Sequence, residues 1–250
     1  MGTGTSQGVP VIGCKCEVCQ SKDNKDIRLR SSALLCLGDV NIVIDTGPDF
    51  RQQMLIQKVD HLSAILITHE HNDHVAGLDD IRPFNFMQRE AITVYTTSRV
   101  MDDLKIKYAY VFAETKYPGA PSVDFHKIGH EPFMIRDVEI HPIHFMHGRM
   151  PVVGFKVGDF AYLTDIKSIE EKEAAKLVGI KTLVVSALHH KEHHSHFNLT
   201  EALAFIERIN PQKAYLTHIS HSMGCSIIVN KSLPKGVQLA HDGLDIDINL

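Results

Sequence analysis

Within the stretch Thr68-His69-Glu70-His71-Asn72-Asp73-His74, the six residues 69–74 carry four side chains able to bind a metal, His69, His71, Asp73 and His74. The apolar run Ala64-Ile65-Leu66-Ile67 lies immediately before it. That run is short, rich in branched residues and bounded by polar ones, so it reads as a buried strand handing its C-terminal end to a ligand-rich loop. Imidazoles and a carboxylate this close repel as cations or leave unpaired polar atoms if merely buried, whereas divalent metals favour such N/O donors. The chemistry points to a bound metal. With 17 histidines in the chain some must be ordinary surface residues, and isolated ones such as His61, His126 and His130 are read that way.

Cys14-Lys15-Cys16-Glu17-Val18-Cys19 is a second ligand cluster. Five cysteines, an odd number with three packed together, argue against a secreted disulfide framework and for thiolate ligation in a reducing, cytoplasmic compartment. Structural zinc is usually tetrahedral, so a fourth ligand is needed, and His221 is the candidate. Closing this site pins the N-terminal loop to the C-terminal segment. Cys36 and Cys225 read as small core residues.

The elements that must position these groups are short strands around residues 33–37, 40–45, 64–68, 92–96, 138–141, 152–157, 160–164, 182–186 and 213–217, with a last one near 245–249. Helical patterns cover residues 49–58, 169–178, 200–209 and 223–231, the third capped by Asn198 or Thr200 and stopped by Pro211. Tight links at Gly38-Asp39 and Gly158-Asp159 indicate antiparallel hairpins. The arrangement suits two sheets packed face to face with helices outside, in one domain spanning residues 1–250. The segment 109–132 reads as a long loop near the site, its aromatics Tyr108, Tyr110, Phe112 and Tyr117 placed to cover a substrate or to pack as an insertion. An apolar content of 44% builds a sizeable core, and no apolar stretch or basic leader marks a membrane protein. A net charge of −4 offers no basic field, so small substrates fit better than long nucleic acid.

The spacing His69-x-His71-x-Asp73-His74 resembles the signature loop of the metallo-β-lactamase superfamily of metal-dependent hydrolases, whose fold is an α/β, four-layer αββα sandwich. The resemblance implies three further ligands at strand ends, matched by His147, Asp165 and His218. It assigns His69, His71 and His147 to one metal and Asp73, His74 and His218 to the other, with Asp165 bridging. Two such metals acidify a shared water and clamp phosphoryl oxygens, which makes hydrolysis the natural reaction. Zn, Mn and Fe all tolerate these donors.

Gly2-Thr3-Gly4-Thr5-Ser6-Gln7-Gly8-Val9-Pro10, the cysteine cluster, Ile44-Asp45-Thr46-Gly47-Pro48-Asp49-Phe50-Arg51, Gly77-Leu78-Asp79-Asp80-Ile81-Arg82 and Ala240-His241-Asp242-Gly243 resemble the PhnP family nearly end to end. That resemblance implies a phosphodiesterase opening cyclic phosphates on phosphoribose, with a dinuclear site of Zn or Mn, one structural zinc, and compatibility with a homodimer. His196 matches the family's His-containing element and is the expected general acid or transition-state donor. Asp73 is expected to serve the attacking water as well as a metal. Asp45, closing its strand, is expected to accept hydrogen bonds from the metal loop or a ligand histidine. Arg82 and Arg149 are candidates to meet a phosphate. A tRNase Z-like nuclease requires a basic docking arm that the chain lacks, and a noncatalytic PqqB-like role does not explain His196. The family also carries an apolar strand ahead of the glycine-rich opening, so with Met1 alone before Gly2 that strand is expected to be absent or trimmed. His241 stands where the family commonly has Tyr.

Overall fold

The computed structural model describes residues 1–249. Its first sheet holds β1 (Ala33–Leu37), β2 (Val40–Ile44), β3 (Ala64–Leu66), β4 (Ile92–Thr96) and β5 (Val123–Lys127), in that spatial order. The second holds β6 (Phe133–Ile135), β7 (Val138–His147), β8 (Met150–Val157), β9 (Phe160–Leu163), β10 (Thr182–Ser186), β11 (Lys213–Thr217) and β12 (Val237–Leu239), running β12-β11-β10-β9-β8-β7-β6. The hairpins β1–β2 and β8–β9 are antiparallel, whereas β2 to β5 and β9 to β12 pair in parallel. Gly38 and Gly158, with φ of 60° and 54°, supply the left-handed turns that close the two hairpins.

Alternation along the strands builds the layers. Ile42, Ile44 and Leu66 face Val153, Phe155, Tyr162 and Val184 across the space between the sheets. Val43, Ile65 and Val94 point the other way, onto α1 (Phe50–Gln57), α2 (Asn72–Val75), α3 (Arg82–Gln88) and α4 (Ser98–Lys107), through Phe50, Val75, Phe84, Val100 and Leu104. On the far side of the second sheet, Phe145, Leu163, Leu183 and Val185 meet α5 (Glu171–Ala175), α6 (Leu199–Ile209) and α7 (Ser226–Ser232), through Ala174, Phe205, Ile206 and Val229. Each fully buried Ile or Phe contributes about 1.5–3 kcal/mol. The result is the expected αββα sandwich. Asn198 and Glu201 form a reciprocal capping box at the start of α6, fixing the chain that leads out of the His-rich loop. No helix among the described residues is long and apolar enough to cross a membrane.

Several local expectations need correction. Residues 245–249 form no strand: Leu244, Ile246 and Ile248 pack on the intersheet core, but the backbone there meets only Asp159, while the last ladder forms at β12. The 109–132 segment is less irregular than its composition implies, since β5 adds an edge strand alternating half-buried Val123 and Phe125 with exposed Asp124 and His126. Cys36 is exposed rather than core, because it lies on the outer side of the edge strand β1. The helix expected over 169–178 is confined to α5, and that over 223–231 begins after Gly224, whose φ of 100° breaks the chain direction.

Candidate metal centre

The ligand candidates converge where the strand ends of both sheets meet. Asp45, Asp165 and His218 follow β2, β9 and β11, and each adopts a left-handed backbone, with φ of 64°, 62° and 55°. Non-glycine residues seldom adopt this conformation, which costs on the order of 1 kcal/mol or more and is held only where surrounding structure dictates it. Three such turns close together mark the site.

At its centre, His74 Nε2 lies 3.3 Å from Asp73 Oδ2 and 3.2 Å from Asp165 Oδ2. His218 Nε2 lies 3.4 Å from Asp73 Oδ2 and 3.3 Å from Asp165 Oδ1. His69 joins His74 and Asp165, with ring centroids of His69 and His74 4.1 Å apart. His71 and His147 complete the loop side, their rings 4.7 and 5.8 Å from that of His69. The seven residues thus lie together in one cluster. Asp165 is the member that touches both halves.

Hydrogen bonds behind the ligands decide which ring nitrogen is left for a metal. Asp45, fully buried, accepts from Thr68 N at 2.8 Å, Thr68 Oγ1 at 2.9 Å and His74 Nδ1 at 2.7 Å. Having given its proton to Asp45, Thr68 Oγ1 accepts from His69 Nδ1 at 2.9 Å. His147 Nδ1 donates to Ser195 O at 2.6 Å. Each contact places the proton on Nδ1 and turns the Nε2 lone pair inward, the usual device that orients metal-binding imidazoles. The Asp45 carboxylate was expected from its strand-end position. Thr68 and Ser195 were not, because a threonine or a backbone carbonyl carries no spacing signature.

The residues fit divalent cations. His69 Nε2 and His74 Nε2 are buried without a hydrogen-bond partner, an expensive state for inward-facing nitrogens that a metal bond removes. Burial opposes charge on Asp165 and on Asp73, yet the surrounding imidazoles hold both well below the usual carboxylate range. Burial likewise opposes charge on His74, and Asp165, Asp73 and Asp45 nevertheless hold it well above the usual imidazole value. The cavity demands positive charge between its carboxylates. Divalent metals with mixed N/O preference supply it.

His196 stands beside this group, its Nδ1 3.4 Å from Asp165 Oδ1 and its ring 4.3 Å from that of His147. Burial pushes its pKa down to about 2. Of the two arginines considered for phosphate, Arg82 is paired with Asp79 at 2.6 Å. Arg149 is exposed at the β7–β8 turn, directly after His147 and Gly148, and has no ion pair among the described residues. Tyr108 donates to Val75 O and Tyr110 bonds Asp79, while Tyr110 stacks on Tyr117, so the aromatic segment is anchored beside the loop that carries His74.

The cysteine cluster assembles separately. Cys14, Cys16 and Cys19 Sγ lie 3.3, 3.4 and 3.5 Å from His221 Nδ1. Tetrahedral zinc with ordinary Zn–S and Zn–N bonds separates sulfur from nitrogen by about 3.6 Å, so the four side chains already stand at zinc spacing. The Cys19 amide, donating to Cys16 Sγ, draws that thiol down to about 6, and burial pushes Cys19 up to about 11.

A family model described as Beta-lactamase superfamily domain matches residues 40–219. A crystal structure of a diphosphatase from the PhnP family superposes with a TM-score of 0.93 at 37% identity, covering 100% of this chain and 96% of that one. The chain belongs to the PhnP family. Within the wider superfamily, zinc-bound PqqB from Methylobacterium extorquens shares the fold, with a TM-score of 0.77 at 19% identity over 99% of this chain and 98% of that one. An octanoyltransferase of Porphyromonas gingivalis is 40% identical over 253 residues, covering all of this chain and 51% of the relative. The PhnP-family chain described here thus spans about half the length of that curated relative. The superfamily and its PhnP-family neighbour are those of metal-dependent hydrolases.

Proposed function

We propose that the protein is a cytoplasmic metal-dependent phosphodiesterase that hydrolyses small cyclic or alkyl phosphodiesters such as phosphoribosyl 1,2-cyclic phosphate. In this reading His69, His71, Asp73, His74, His147, Asp165 and His218 hold two divalent cations, Zn or Mn, and Cys14, Cys16, Cys19 and His221 hold a structural zinc. The observation that carries it is the placement of His196 against Asp165, at 3.4 Å, beside the cluster of carboxylates and inward-facing imidazoles. Ligands drawn from both sheets, between residues 69 and 218, support treating residues 1–250 as one functional unit.

When bound, two divalent cations neutralise phosphoryl oxygens and make water more acidic. The side chains do the rest. Asp165, grouped with His69 and His147 as well as with His74 and His218, ties the two ligand sets together, and Asp73 joins His74 to His218. Asp73 engages His74 and His218 through Oδ2, which leaves Oδ1 to orient the attacking water. His196 donates an N–H to the departing or nonbridging oxygen. A complete donor of this kind separates the reading from a noncatalytic PqqB-like role.

The test is turnover by metal-loaded protein of bis(p-nitrophenyl) phosphate, a ribose cyclic phosphate, a β-lactam and an octanoyl thioester, the last because of the relative named for octanoyl transfer. The phosphodiesters are expected to turn over, and His196→Ala is expected to lower kcat by roughly 10²–10⁴-fold with metal content unchanged. Hydrolysis of the thioester or β-lactam alone overturns the assignment.

A further inference from the structure

One residue of the His-rich loop has a defined chemistry that the site described above does not use. Ser195 holds two histidines through its own backbone: its carbonyl accepts from His147 Nδ1 at 2.6 Å, and its N–H donates to His193 Nδ1 at 3.3 Å. The first contact turns His147 Nε2 toward the metal cavity. The second occupies the Nδ1 lone pair of His193, so the proton of this imidazole resides on Nε2. His193 therefore carries a fixed N–H donor, and Nε2 has no protein partner among the described residues.

Its position is equally constrained. The His193 ring centroid lies 5.0 Å from that of His196, which in turn lies 4.3 Å from that of His147. His193 is thus one ring further out than the proposed donor to the scissile phosphate. The loop cannot drift, since Leu188 N bonds Phe197 O, Phe197 N bonds Ile166 O, and Asn198 opens the capped helix α6. Gly148, at φ 61°, presses on it from the β7–β8 turn: a Cβ there would come within 3.2 Å of Ser195 Cβ. The ionisable groups around His193 are His194, His189, His147 and Lys167, the lysine already bound to Glu201 at 2.7 Å. Among the described residues no carboxylate is hydrogen-bonded to or ion-paired with His193.

We propose that His193 is a specificity residue whose Nε2–H binds an acceptor oxygen on the ester arm of the substrate, beyond the scissile phosphorus, and so favours phosphodiesters of sugars and other polyols over simple aryl esters. A site built to hydrogen-bond a substrate oxygen discriminates against substrates lacking it because the donor is then left unpaired. The assignment rests on the phosphodiesterase reading and adds to it the chemistry of the arm.

The experiment compares a nucleoside 2′,3′-cyclic phosphate with bis(p-nitrophenyl) phosphate for wild type, His193→Ala and His193→Gln, with metal content measured on each. His193→Ala is expected to raise KM for the ribose ester about tenfold, one neutral-to-polar hydrogen bond's worth, with kcat within about twofold and the aryl ester unaffected. His193→Gln, whose amide N–H reaches the position of the imidazole Nε2, is expected to restore most of that loss. Equal losses on both substrates, or a fall in metal content, make His193 a structural residue and overturn the proposal. No change on either substrate overturns it as well. If wild type hydrolyses neither ester, the phosphodiesterase reading itself fails and takes this assignment with it.

Discussion

Asp165→Asn is expected to reduce kcat/KM by on the order of 10³-fold and to lower the labile metal content from about two equivalents toward one. The substitution preserves shape and removes one charge. Asp165 divides its two oxygens between His74, through Oδ2, and His218, through Oδ1, and also groups with His69, whereas Asp73 meets both histidines through Oδ2 alone; Asp165 is almost fully buried. An amide at this position can bridge neither pair of donors, and its NH2 group faces inward-turned imidazole nitrogens. Loss of several kcal/mol of charge stabilisation corresponds to that drop in rate. Calorimetric metal titration and steady-state kinetics on the same preparations check it. Wild-type activity with two equivalents retained removes Asp165 from the bridging role.

Asp45→Ala is expected to destabilise the fold by about 3–5 kcal/mol and to weaken metal binding by about 10- to 100-fold. The carboxylate touches no substrate. It satisfies the Thr68 amide, the Thr68 hydroxyl and His74 Nδ1 at once, in a position with no solvent exposure. Its removal strands buried donors and frees both His74 and, through Thr68, His69 to rotate or change tautomer. Burial pushes the Asp45 pKa up despite the His74 contact, so the carboxylate depends on these donors to stay charged. Urea unfolding of the metal-free protein reads the first effect, and competition with a chelator reads the second. A variant as stable as wild type that binds metal equally well contradicts the account.

The sequence exposed the chemistry of this centre more readily than its support. His69, His71, Asp73 and His74 are legible because a short loop must hold all four, and the buried strand before them announces itself by composition. His147, Asp165 and His218 lie far apart in the chain, and only likeness to a known family joined them. His221 was reachable because three clustered thiols require a fourth ligand. What no periodicity could reveal is the shell behind: Thr68 relaying Asp45 to His69, and Ser195 setting the tautomers of His147 and His193 through its peptide groups. Nor does sequence disclose the left-handed turns at Asp45, Asp165 and His218, since none of these residues is glycine.

The secondary structure follows the same division. Strands buried on both faces, such as β3 and β10, declare themselves through unbroken apolar runs. Edge elements do not. The exposed polar residues of β5 disguise it as loop, and α4 buries only Val100 and Leu104 along a largely charged surface. The opposite error occurs at residues 245–249, where apolar alternation is real but serves packing without a neighbouring strand to complete a ladder.

Anomalous diffraction from crystals of the metal-replete protein tests the central claim most directly. Two peaks roughly 3.5–4 Å apart are expected among His69, His71, Asp73, His74, His147, Asp165 and His218, with a third inside the Cys14, Cys16, Cys19 and His221 tetrahedron. An absence of metal density among those seven side chains, in crystals that bind zinc at the cysteines, would contradict it.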